Sequence, residues 1–83
     1  MKIIGWLTRV DVVEFQRDGV TISIPQVEIE GLRLLCERRV GDPSAFLNRE
    51  VQALIVIKWP RADGGLRRPT FWVRALAPAP ASA

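Results

Sequence analysis

An Asp18-Gly19 dipeptide stands between two runs of β-branched and apolar residues, and no other feature limits the folds open to this chain so firmly. Asp-Gly supplies the positive φ angles that a two-residue hairpin turn needs. On its N-terminal side, Ile3 to Phe15 reads as a strand with Ile4, Trp6, Val10 and Val12 on one face. Gly5 within it points to a bulge or a close backbone approach. On the C-terminal side, Val20, Ile22 and Ile24 alternate with Thr21 and Ser23. Pro25 has no N–H to give to a ladder, so it implies an edge, a bulge or the strand's end. Val27 and Ile29 resume in shifted phase, and the first antiparallel hairpin spans about 3–29.

A second antiparallel hairpin reads over about 51–76. Val51, Ala53, Ile55, Ile57 and Trp59 alternate with Gln52, Leu54, Val56 and Lys58, and apolar residues on both faces suggest a central strand. Asp63-Gly64-Gly65 forms a turn signal, and the return strand carries Phe71, Trp72 and Val73. Pro69 suggests an edge. Period two groups Trp59 with Ile55 and Ile57 on a core-like face. It groups Trp72 with Arg68, Thr70 and Arg74 on a surface-like face.

Residues 28–40 decide the architecture. As a helix they place Glu28 and Glu30 in the first turn and Arg38 and Arg39 in the last, which suits the helix dipole. Ile29, Leu32, Leu35 and Cys36 then form an apolar stripe, and Gly41 follows as a stop. As a strand, Leu32, Leu34 and Cys36 alternate with Arg33, Leu35 and Glu37, but β-branched residues are scarce. Asp42 as a cap and Pro43 at the first helical position predict a short helix over about 43–50. The expected fold is therefore α+β: a β-rich single small domain with two hairpins and one or two helices between them. The alternative is a five-stranded OB/SH3-like barrel with a short helix at 43–50. If both middle segments are helical, residues 40–43 resemble a helix-turn-helix link, with Asn48, Arg49 and Gln52 as base contacts.

With 83 residues, the chain has room for one modest core. Residues 1–76 read as the globular domain. Residues 77–83 contain only Ala, Pro and Ser and read as a disordered tail. Lys2 is followed by only five uncharged residues before Thr8 and Arg9, too few for a signal peptide. Every apolar run falls far short of the roughly 20 residues that span a bilayer. A cytoplasmic, membrane-free protein is the expectation.

Catalytic chemistry finds little to use. There is no histidine, which removes the common general base and the commonest transition-metal ligand. The one cysteine, Cys36, cannot form an internal disulfide and reads as a small buried hydrophobe. Glu28 and Glu30 without a third ligand make a weak metal site, and no glycine-rich phosphate loop with its lysine is present. The expected protein is non-enzymatic, with no cofactor, metal or small-molecule substrate.

Charge is uneven along the chain. Residues 1–57 hold seven basic and eight acidic side chains, whereas 58–83 hold five basic residues against Asp63 alone. The net +3 thus comes entirely from the last third. Lys58, Arg61, Arg67, Arg68 and Arg74 are interleaved there with Trp59, Phe71 and Trp72. Cations that track phosphates beside rings that stack on bases are the chemistry of nucleic-acid binding. Lys58, Arg61, Arg67, Arg68 and Arg74 are the candidate phosphate contacts and Trp72 the candidate stacking platform. The alternative is a protein-interaction module, an accessory subunit or small inhibitor docking on a larger protein through its edge strand. A homodimer is plausible under either reading, because a small core gains from burying more surface.

Overall fold

The computed structural model describes residues 1–59 and 68–80. It contains five strands: β1 (Lys2–Arg17), β2 (Val20–Ile29), β3 (Leu32–Cys36), β4 (Arg49–Lys58) and β5 (Thr70–Pro78). They form a mixed sheet in the order β1-β2-β3-β5-β4, and β4 pairs back onto β1 to close a ring. All neighbours are antiparallel except β3 and β5, which run parallel.

Both expected hairpins are present, but the expected helices are not. Among the described residues the helical structure consists of two 3-10 turns, Arg38–Val40 and Pro43–Phe46, so the fold is strand-rich and not α+β. In 28–40, Glu30 and Gly31 take φ of 50° and 80°, which closes a two-residue turn between Ile29 and Leu32. That turn sends the chain back along β2 as β3, and tertiary pairing overrides the weak strand propensity of the segment. In 43–50, Asp42 caps the turn by accepting from the Ser44 backbone N–H at 3.0 Å and the Ser44 hydroxyl at 2.7 Å. Leu47 is then extended and Asn48 has φ of 61°, so the helix stops after one turn and Arg49 starts β4 opposite Leu7. With no helix pair, the helix-turn-helix reading falls.

Thr8 corrects the phase of β1. The pairing register slips between Leu7 and Arg9, so Thr8 is the extra residue of a bulge. Gly5 and Leu7 point inward before the bulge and Val10 packs against the core after it, leaving Ile4 and Trp6 exposed. Gly5 is the close approach that its position suggested. A Cβ there would overlap the Cγ of Glu30, whose carboxylate accepts the Trp6 backbone N–H at 2.9 Å.

Leu7, Val27, Ile29, Leu34, Cys36, Val51, Ala53, Ile55 and Val73 fill the ring. Trp59 does not join them. It lies just past the end of β4 and is 73% exposed, because the core face of β4 has already emerged at Ile57. At the other end, β5 continues past the expected limit at 76, pairing Ala77 with Gln52 and Pro78 with Val51. No helix among the described residues is long and apolar enough to cross a membrane.

The molecule is elongated, 49 × 23 × 21 Å. β3 covers only Gln26 to Ile29 of β2, and β4 covers only Lys2 to Leu7 of β1. Beyond those limits, among the described residues, β1 and β2 pair with each other alone, as a two-stranded arm ending at Asp18 and Gly19. Pro25 sits in β2 one residue past the end of the β3 ladder, where its missing N–H costs no bond.

Truncating the core should be far more damaging than truncating the outer face. Leu7→Ala should cost about 2–5 kcal/mol in urea unfolding, whereas Ile4→Ala should stay within about 0.5 kcal/mol. Burial pushes the Cys36 thiol up to about 11. A thiol reagent at pH 8 should leave the folded protein unmodified and titrate one thiol after denaturation, with absorbance of the released chromophore as the readout.

Candidate nucleic-acid interface

Register fixes which side chains share the outer surface. Asp11, Gln26, Leu35, Trp72 and Val56 form one row across all five strands. The next row, Cys36, Val73 and Ile55, points into the core. The outer row continues along the arm as Val13 opposite Ile24 and Phe15 opposite Ile22. The outward face of the arm is therefore apolar, with Asp11 and Gln26 standing between it and the row of Leu35 and Trp72.

This face is concave. A hollow of about 310 Å³ lies between Val13 and Phe15 of the arm and Leu35, Thr70 and Phe71 of the ring, with Arg33 at its rim. A second, of about 370 Å³, lies between Ile22, Ile24 and Pro25 on one side and Glu37, Arg38 and Trp72 on the other. Phe15 is 42% exposed, and Arg33 and Arg38 are both on the surface.

The expected site residues divide into three groups. Lys58, Trp72 and Arg74 come together on the outer faces of β4 and β5. Arg68 is exposed, next to the Pro69 that lines the first hollow. Arg61 and Arg67 lie outside the described residues.

Glu37, to which the sequence alone assigned no role, organises the first group. Its backbone N–H donates to the Val73 carbonyl at 3.0 Å, which fixes it beside β5. Its carboxylate meets Arg74 Nε at 2.8 Å, Lys58 Nζ at 3.0 Å and Arg39 Nε at 3.7 Å. Three cations against one carboxylate leave two positive charges in surplus. Lys58 Nζ also lies 4.0 Å from the centroid of the Trp72 ring, a cation–π contact. The indole N–H of Trp72 donates to Thr70 Oγ1 at 2.8 Å. Trp72 is thus held at both its polar edge and its face, while Lys58 and Arg74 are only partly available to an outside anion.

Sequence reasoning also missed the apolar half of the site, Val13, Phe15, Ile22, Ile24 and Leu35. The signal of the first four was present in the alternation of the first hairpin, but inward and outward positions could not be told apart without the Thr8 bulge. Among the described residues no group of three or more Asp, Glu, His or Cys side chains is arranged to hold a metal.

Hydrogen bonds from Arg74 and Lys58 hold the Glu37 carboxyl down to about 2, from an ordinary 4.5. A carboxylate whose pKa is lowered by folding stabilises the fold above its unfolded pKa, and that contribution is lost as pH falls toward the folded value. Glu37→Gln should therefore lower the melting temperature at pH 7, and the gap to the wild type should close between about pH 4.5 and pH 2. Thermal unfolding followed by circular dichroism across that window checks this. Comparison with protein-family models, curated proteins and solved structures gives no significant match to this chain.

Proposed function

We propose that this chain is a non-enzymatic binding module that takes single-stranded nucleic acid along the concave face of β2, β3 and β5. The observation that carries the reading is an open, apolar and aromatic groove edged by arginines. Exposed base faces would gain from Phe15, Leu35 and Trp72, while Arg33, Arg38, Arg68 and the surplus charge around Glu37 attract the backbone. A duplex hides its base faces and would leave the apolar floor unused. The order of strands around the ring supports the finer reading of an OB-type barrel, a fold that binds oligonucleotides on strands 2 and 3 and between the 1–2 and 4–5 loops. In this chain those loops would be the arm and the segment with Arg61 and Arg67.

One observation favours a different partner. Ile4, Trp6 and Leu54 are 54%, 52% and 39% exposed on the outer face of β1 and β4, away from the groove. Such a patch suits a protein-interaction module docking on a larger protein.

Fluorescence anisotropy with labelled single-stranded and duplex oligonucleotides separates the two. Single strands should bind more tightly than duplex, with an affinity that falls steeply between about 50 and 200 mM salt. Trp72→Ala should cost about 1–3 kcal/mol of binding, and Arg68→Ala should reduce the salt slope by about 1. No binding at low salt would sink the proposal and turn attention to the Ile4–Trp6 patch.

A further inference from the structure

The two edges of the arm differ in kind. Along 9–17, β1 carries Arg9, Asp11, Glu14 and Arg17, charges of the sort that guard an edge against pairing. Along 20–25, β2 carries Val20, Thr21, Ile22, Ser23, Ile24 and Pro25, with no charge, and among the described residues no strand pairs with its outer side. Backbone geometry identifies the groups left over. Arg17 and Val20 flank a two-residue turn and so form a hydrogen-bonded pair. Alternation then makes Phe15–Ile22 bonded, and Gln16–Thr21 and Glu14–Ser23 not. The N–H and C=O groups of Thr21 and Ser23 therefore point away from β1, toward the open side.

We infer that two copies of this chain pair antiparallel through this edge, about a two-fold axis at Ile22. That register sets Val20 opposite Ile24 of the second copy and Thr21 opposite Ser23 of the second copy. Apolar residues meet apolar residues, hydroxyls meet hydroxyls, and the outward groups of Thr21 and Ser23 bond reciprocally. The same register ends the second copy's strand at Val20 opposite Ile24, two residues short of Gln26, where β3 becomes the neighbour of β2. The pairing turns two marginal two-stranded arms into one four-stranded sheet whose apolar face is shared. It does not rest on the nucleic-acid reading, since it uses the edge of β2 and needs no ligand.

Sedimentation velocity of the full chain without nucleic acid tests it. The wild type should show a concentration-dependent species of twice the 9.3 kDa chain mass. Thr21→Lys with Ser23→Lys sets like charges opposite each other across the axis and should halve the mass. Thr21→Lys with Ser23→Glu sets opposite charges there and should restore the doubled mass. Both substituted positions are exposed, and far-UV circular dichroism of each variant should match the wild type. A wild type that stays at 9.3 kDa, a dimer that survives the double-lysine change, or a lysine–glutamate variant that remains at 9.3 kDa overturns the inference.

Discussion

Closure of the ring rests on β3, and β3 is only five residues long. It joins β2 on one side and β5 on the other, through Leu35–Trp72 and Cys36–Val73. The hydrogen bond from Glu37 N–H to the Val73 carbonyl extends that seam before the chain turns away. Because β2 is ten residues long and β3 pairs only with Gln26 to Ile29, the first six residues of β2 have no neighbour on that side among the described residues. The protruding arm, the concave face beside it and the uncharged edge of β2 all follow from this one mismatch of lengths. A longer β3 would fill the groove and cover the edge together.

Glu37 connects this geometry to the charge. A carboxylate just past the end of β3 draws Lys58 from β4 and Arg74 from β5 to one point, so it ties the seam to the two strands beyond it. The same contact removes part of the positive charge that the composition of 58–83 suggested would face a polyanion. Basic residues counted along a sequence measure available charge only after internal partners are subtracted. The arginines of the groove rim, Arg33 and Arg38, come from residues 1–57, whose net charge is negative, and Arg33 itself lies 3.8 Å from the Glu28 carboxylate.

The Asp18-Gly19 turn and both hairpins were legible because local chemistry dictates them. Trp72 was legible as an outer residue because β5 keeps its pairing register from Thr70 to Val73, before the slip at Arg74. The third strand was hidden for a physical reason. Leu35 is apolar yet faces outward into the groove, while Leu34 and Cys36 face the core. Apolar residues on both faces of a short strand imitate the stripe of a helix. Glu30 at positive φ also disguised a turn that Asn or Asp would have announced. In β1, one extra residue at Thr8 reversed the phase, and nothing local to Thr8 signals it. Trp59 was misplaced because periodicity tells which face a residue takes but not where a strand leaves the core.

The pairing of β1 also has an entropic side. Its outer half joins β2 across a turn of two residues, whereas its first six residues join β4 from Arg49 to Leu54. The cost of closing a loop grows with the logarithm of its length. The arm is therefore a local structure that a short stretch of chain can form, while the ring is a non-local one that must wait for β4. Topologies dominated by distant strand pairs fold slowly for this reason. Here one strand belongs to both regimes, divided at Thr8: the half that reaches into solvent is the half the chain can make first, and the half that carries the core is completed last.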